Sequence, residues 1–200
     1  MQEPRHRACG VSRHGGLLAA LTLLSAAVGA GCAPESAARG PNVLLISIDT
    51  CRADRLGCYG FERPTTPHID ALAERGVLFE RASSTAPITL PAHASMLSGT
   101  LPPYHGVHDN NYRVGDPVVT LAEQLRDAGW STAAFVSTFV LDARFGLDQG
   151  FERYDDELGG ERDGGVYLDE RRGEATTRAA LRWVEQEREE PFFLFLHYFD

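Results

Sequence analysis

The run Thr89-Leu90-Pro91-Ala92-His93-Ala94-Ser95-Met96-Leu97-Ser98-Gly99 places a hydroxyl just ahead of a proline and a stretch of helix formers. A residue so placed sits at a helix N-terminus, where unpaired N–H groups favour negative charge. An alkoxide is such a charge, and so is a sulfuryl or phosphoryl group in transfer. Upstream, the apolar run Asn42-Val43-Leu44-Leu45-Ile46-Ser47-Ile48 ends in Asp49. It reads as a central parallel strand buried on both faces, with a carboxylate at the C-terminal end, where open α/β sheets bind ligands. Asp49 and Thr89 together suggest a metal-activated nucleophile.

Each residue also has a structural reading. Coordination of Thr89 to a divalent cation (Zn, Mn or Ca) would stabilise the alkoxide of an otherwise poor nucleophile; a plain helix N-cap is the alternative. Asp49 would be a ligand, since hard cations prefer carboxylate oxygen; the alternative is a cap or turn residue. Thr50 is a neutral neighbour. His93 lies four residues past Thr89 on the same helix face, where it would contact an intermediate or order the turn. His105 is read as shaping its loop, and His197 as buried on the last strand.

The elements that must position these groups follow from periodicity and punctuation. Strands are expected at Asn42–Asp49, Val77–Arg81, Trp130–Val136 and Phe192–Phe199. A helix over Pro67–Arg75 has Thr66 as N-cap and Gly76 as its stop, and the Thr89 helix runs to about Leu97. Asp116-Pro117 opens a helix with Val118, Leu121 and Leu125 at helical spacing, ended by Gly129, and Thr176–Glu187 is amphipathic. Residues 101–115 and 159–165 read as loops. Strands alternating with helices predict an α/β fold with a mostly parallel central sheet flanked by helices. The chain stops at Asp200 directly after an apolar strand, which reads as the N-terminal part of a longer protein, truncated on the C-terminal side.

Two hundred residues, 43% hydrophobic and 24% charged, allow one domain with a real core or part of a larger one. A net charge of −9 argues against a nucleic-acid partner, which would need a basic face. It does not exclude an anionic substrate, because bound cations invert the local field. All 19 basic residues are Arg, so no lysine is available as an active-site cation.

Residues 1–31 read as a signal segment. Arg5, Arg7 and Arg13 form its positive region, and Leu17 to Ala30 its apolar core, too short for a comfortable membrane span. Gly29, Ala30 and Gly31 precede Cys32 as in a bacterial lipoprotein signal, with Gly29 where such signals usually carry Leu. Lipidation at Cys32 would attach the chain to a membrane in the cell envelope; an ordinary cleaved signal and a short membrane anchor are the alternatives. Residues 32–41 form a tether and 42–200 the folded part. Cys51 and Cys58 are read as small buried thiols rather than as a disulfide or zinc site.

From about Pro41 to Asp200 the chain resembles the sulfatase family of the alkaline phosphatase superfamily. The resemblance rests on Pro41-Asn42-Val43 through Asp49-Thr50, Leu56-Gly57-Cys58-Tyr59-Gly60, Thr66-Pro67-His68-Ile69-Asp70-Ala71-Leu72, the Thr89–Gly99 segment, His105-Gly106-Val107 and Gln149-Gly150-Phe151. It implies an alkaline phosphatase-like fold, a divalent metal and an anionic ester substrate. The departures concern the chemistry. Well-known sulfatases place Cys or Ser in a Cys-X-Pro-Ser-Arg pattern and oxidise it to formylglycine. Thr89, with Ala92 and His93 in place of the Ser and Arg, could not give an aldehyde. Thr50 stands where those enzymes have a second Asp, and Ser137-Thr138-Phe139-Val140-Leu141 where they have Lys-Trp-His-Leu-Gly.

The Thr-X-Pro-X-His pattern of Thr89, Pro91 and His93 is similar to that of nucleotide pyrophosphatase/phosphodiesterases, which implies a Thr nucleophile and a phosphate ester or diester. In that branch an Asn following His-Gly and Asp contacts a transferring oxygen, which places Asn110, after His105, Gly106 and Asp109, in that role; Asp-Asn pairs are also common turn formers. Membrane phosphoethanolamine transferases use a Thr nucleophile too, so group transfer is a second reading, and a non-catalytic surface protein retaining the fold a third. The resemblance further implies an Asp-His ligand pair from the C-terminal half and a His two residues after Asp200. The 200 residues alone are therefore expected to be inactive, since Asp49 cannot hold a catalytic ion by itself.

Overall fold

The computed structural model describes residues 40–159, 162–163, 166–167, 170–186 and 188–199. The readings of a signal at 1–31, of lipidation at Cys32 and of most of the tether lie outside the described residues, as does Asp200.

In chain order the elements are β1 (Val43–Ile48), α1 (Pro67–Ala73), α2 (Thr89–Ser98), the one-turn α3 (Pro102–His105), α4 (Leu121–Asp127), β2 (Ser131–Phe135), β3 (Arg153–Asp155), a two-residue hairpin of β4 (Arg162–Asp163) and β5 (Val166–Tyr167), α5 (Gly173–Val184) and β6 (Phe192–Tyr198). The main sheet has the order β1-β6-β2-β3, and every pairing in it is parallel. The expected α/β fold is what forms.

Two inner strands explain the layering. Side chains alternate across a strand, so β2 and β6 serve two cores at once. Ala134, Val136, Phe193 and Phe195 pack with Leu90, Ala94 and Leu97 of α2 on one face. Ala133, Phe135, Leu194 and Leu196 pack with Ala179, Ala180 and Trp183 of α5 on the other. Burying a Phe or Leu in such a layer contributes roughly 2–3 kcal/mol, and Phe193 and Phe195 are fully buried. An uninterrupted apolar run is the signature of such a strand.

β1 departs from the expectation of a strand buried on both faces. It pairs only with β6 among the described residues and lies at the sheet's edge. Leu44, Ile46 and Ile48 are 54%, 47% and 43% exposed, while Val43, Leu45 and Ser47 turn inward. An apolar run reports β-propensity, whereas burial of the second face depends on whether another layer covers it. The strand expected at Val77–Arg81 is absent: Val77 and Phe79 are 80% and 70% exposed, and the backbone there pairs with no strand. Phe79 is held instead through its carbonyl, which accepts from the Tyr59 hydroxyl at 2.9 Å.

The boundaries of α4 and α1 also shift. α4 starts at Leu121 rather than at Pro117, because Thr120 and Glu123 form a capping box. Thr120 Oγ1 accepts from Glu123 N at 3.1 Å, and Glu123 Oε2 accepts from Thr120 N at 2.8 Å. At α1, Thr66 makes no side-chain cap. Its Oγ1 accepts from Gly57 N and lies 3.1 Å from Asp70, tying the helix to the turn after β1. Gly150 is required as glycine, since its φ is +87° and an added Cβ would lie 2.1 Å from Glu123 N. Cys51 and Cys58 are free, as expected, but not both buried: Cys51 is exposed on the turn after Asp49 and Cys58 is half-buried. No described helix is long and apolar enough to cross a membrane.

Asp155, at the end of β3 and 8% exposed, accepts from Arg171 at 2.5 Å and from Arg153 at 2.9 Å. Burial opposes its ionisation, but the hydrogen bonds and charges of Arg153 and Arg171 outweigh it and hold the carboxyl below its ordinary range. The pair therefore stabilises the fold fully above the unfolded carboxyl's range, and that contribution drains away as pH falls through the lowered folded value. Asp155→Asn leaves Arg171, itself 10% exposed, without its partner and costs roughly 3 kcal/mol at pH 7. Urea unfolding of both proteins at pH 7 and pH 3 checks this. The difference should narrow at the lower pH, and an equal difference at both would contradict it.

Candidate active site

The C-terminal ends of β1 and β6 and the first turns of α2 converge on one point. The β1–β6 register sets Ser47 opposite His197, and the pairing continues one residue further through Asp49 N–H to the Tyr198 carbonyl at 2.9 Å. Asp49 leaves the strand beside the ring of His197, whose Nε2 is 3.3 Å from Asp49 Oδ2. From the other side Asp49 Oδ1 accepts from Thr50 N at 2.7 Å. That bond needs Thr50 at φ +55°, a left-handed conformation costing a β-branched residue about 1 kcal/mol or more. Thr89 stands close enough to the same carboxylate to help hold it ionised.

Hydrogen-bond geometry assigns the protons on the rings. His93 Nδ1 faces the Thr89 carbonyl at 2.7 Å, so Nδ1 carries the proton, and Nε2 accepts from Ser47 Oγ at 2.9 Å. Ser137 N–H points at His197 Nδ1 at 3.4 Å, which leaves Nε2 as the donor to Asp49. Ser137 Oγ donates to the His197 carbonyl at 2.6 Å, and Thr176 Oγ1 lies 2.9 Å from Ser137 Oγ. The His93 and His197 rings meet edge to face, 4.9 Å between centroids.

Burial, reinforced by the nearby His197, pushes the His93 imidazole down to about 4, so it is neutral at physiological pH. Asp49 moves down as well. Burial works against its ionisation but is outweighed by the hydrogen bonds from His197 and Thr89 and by the His93 and His197 charges. The site holds one carboxylate kept ionised, a threonine beside it and two histidines whose ring nitrogens have assigned hydrogen-bond partners.

Of the residues singled out from the sequence, Asp49, Thr89 and His93 come together here. Asn110 comes alongside, although its carbonyl oxygen is spent on Leu90 N at 3.0 Å. Asn110 thus satisfies a free N–H of the α2 N-terminus, and its NH2 group remains as the donor. His105 is buried away from this cluster: Nδ1 accepts from Val107 N at 3.1 Å and Nε2 faces Ser95 Oγ at 2.9 Å, shaping its loop as expected.

A profile of the family described as Sulfatase matches residues 41–199. The chain belongs to the sulfatase family. It is 34% identical to mouse steryl-sulfatase over 142 residues, which is 65% of this chain and 22% of that protein. To bovine arylsulfatase A it is 40% identical over 119 residues, covering 56% and 23%. The chain therefore spans about a fifth of the length of the curated relatives it matches. Among solved structures it superposes on a 2-O GAG sulfatase with a TM-score of 0.64 and 27% identity, covering 79% of this chain and 34% of that one. The phosphonate monoester hydrolase of Agrobacterium radiobacter shares the fold at a TM-score of 0.62 and 24% identity, covering 80% and 40%.

A sulfatase-family site is expected to hold a divalent metal. Asp49, His93 and His197 offer ligand atoms all within 4.8 Å of one another. Asp49 fits such an ion directly, being held ionised, half-buried and close to Thr89. The rings fit less simply: His93 Nε2 is engaged by Ser47, and His197 Nε2 donates to Asp49, so each must release a partner before it can bind. Asp49 accepts Zn, Mn or Ca alike, and the choice lies with further ligands.

Sequence reasoning missed Ser47 and Ser137 as partners of the site and left His197 as a core residue. A histidine facing the end of the strand that carries Asp49 would have been the signal, but it needs the β1–β6 register. In the metal-free protein, nitrogen-15 NMR of the imidazoles should find His93 protonated at Nδ1 alone from pH 8 down to about pH 5. Protonation near pH 6.5 would refute this environment.

Proposed function

We propose that this chain carries the nucleophile of a metal-dependent hydrolase of sulfuric or phosphoric esters. Thr89 is the nucleophile, Asp49 a metal ligand, and a phosphate ester or diester the preferred substrate. The observation that supports this most is the placement of Thr89 at the first position of α2, beside the ionised Asp49 carboxylate at the C-terminal end of the sheet. A cap has no need of a carboxylate there, and the cap reading of Thr89 loses weight further because α2 begins at Thr89 itself with Ile88 as its N-cap.

Asp49 and the Thr89 oxygen would hold the ion, which when bound supplies positive charge against the oxygens that gain negative charge. The rest is carried by the chain. Asp49 stands beside the Thr89 hydroxyl, whose oxygen has a lone pair for in-line attack. The Thr89 oxygen bonds to phosphorus or sulfur as its hydroxyl proton is released, and the ester oxygen departs with its bonding pair and takes up a proton in exchange. Water then opens the Thr89 ester and restores the hydroxyl. The Asn110 NH2, held in place by the bond from Leu90 N, donates to a nonbridging oxygen. The methyl on the Thr89 Cβ excludes oxidation to an aldehyde, which favours phosphoryl over sulfuryl chemistry in a family whose named relatives include arylsulfatase A.

The test is turnover of matched aryl phosphate, phosphodiester and sulfate esters by the native protein with Zn, Mn or Ca. Thr89→Ala should lower it by about a thousand-fold or more, and Thr89→Ser should retain part. Sulfate turnover lost in the alanine variant keeps the nucleophile and overturns the substrate preference. Full turnover in Thr89→Ala refutes the reading.

Export to the cell envelope with a lipid on Cys32 is part of this proposal, supported by the basic and apolar segments before it. Labelled palmitate should enter the protein in the native host and be lost in Cys32→Ala; equal labelling in the variant counts against it.

A further inference from the structure

Ser47 and Asp49 at the end of β1 face His93 and Thr89 of α2 at the site. Ser47 and Asp49 are two apart on the strand, so their side chains leave the same face, roughly 7 Å apart along it. Thr89 and His93 are four apart on the helix, so theirs lie on one side, about one 5.4 Å turn apart. The spacings are comparable, and the residues face one another in order as two rungs: Asp49 beside Thr89, and Ser47 Oγ hydrogen-bonded to His93 Nε2 at 2.9 Å.

The second rung has one proton arrangement. His93 Nδ1–H is committed to the Thr89 carbonyl at 2.7 Å, so the ring returns to the backbone of the very residue the first rung holds. Its Nε2 must then accept, and Ser47 must donate. The ring is 3% exposed and packed edge-on against His197 at 4.9 Å, with Phe195 at 6.1 Å, so it has no alternative rotamer with room to enter. A buried imidazole nitrogen without that hydroxyl would be left unsatisfied, at a cost of the order of a hydrogen bond.

The geometry points to Ser47 as a positioning residue for the nucleophile, acting through His93 on the backbone of Thr89. The two-rung ladder sets the first turn of α2 against the end of β1. The loops from Asp49 to Thr89 are long and largely exposed, and leave that distance free. His93, expected from the sequence either to contact an intermediate or to order the turn, does the second. This rests on Thr89 being the nucleophile.

The experiment compares Ser47→Ala, Ser47→Thr and Thr89→Ala in the native protein, with kcat and KM on the best ester and nitrogen-15 NMR of the imidazoles. Ser47→Ala should lower kcat by about 10–100-fold with KM within about two-fold. It should also move the His93 Nε2 resonance downfield as its hydrogen bond is lost, while Ser47→Thr restores both. Unchanged kcat in Ser47→Ala with Thr89→Ala inactive overturns the ladder and leaves the nucleophile standing. A His93 resonance that does not respond to Ser47→Ala overturns it whatever the kinetics. Full activity in Thr89→Ala overturns the ladder's purpose together with the reading beneath it. Melting temperatures of the three variants separate a local effect from unfolding, and a kcat loss that tracks lost folded protein in both Ser47 variants also overturns it.

Discussion

The parallel pairing of β1 with β6 is the contact on which the rest of the site depends. It joins strands about 150 residues apart and sets Ser47 opposite His197, with Asp49 one step beyond on the same ladder. Because strand side chains alternate, a slip of one residue would turn Asp49 and Ser47 to the other face and separate them from α2. The register is secured by β6, whose phenylalanines and leucines fill cores on both faces and permit no slip without exposing one of them. The apolar bulk of Phe193 and Phe195 thereby controls the placement of a carboxylate several residues away.

Around that carboxylate the hydrogen-bond partners among the described residues include no arginine. Hydroxyls, backbone N–H groups and imidazoles of defined tautomer surround Asp49, and the ion pair of Arg171 is directed to Asp155 instead. A sequence with net charge −9 offers no net positive field to an anionic ester. A bound cation is the physical means by which such a site would attract and neutralise its substrate. The acidity of the chain and the metal chemistry of its family are therefore compatible.

Strain is concentrated at the same point. Thr50 is the non-glycine residue with positive φ among those described, and its N–H closes on Asp49. Such conformations persist where surrounding contacts over-determine them. Here the β1 pairing on one side and the Thr66–Gly57 and Asp70–Cys58 bonds on the other grip the turn that follows the strand.

Much was legible in the residues alone, because it depended on local pattern. The apolar runs ending in Asp49 and in Phe199, the helix opening at Thr89 and the parallel α/β layout follow from periodicity and punctuation, and ordered motifs were enough to reach the family. Asp49, Thr89 and His93 could be singled out from the sequence because each stands at the end of an element or one turn into it. What the chain did not disclose was set by distant neighbours. The exposure of β1's second face, the missing pairing at Val77–Arg81 and the later start of α4 each depend on which surface or side chain lies nearby. Ser47 looked like an interruption in an apolar strand and His197 like a core residue, until the β1–β6 register brought them to opposite sides of one site. Sequence patterns determine which elements form and which groups they can present. Only tertiary structure decides which groups meet, because hydrogen bonds of about 3 Å between residues 46 to 148 positions apart require the whole sheet and α2 to be in place.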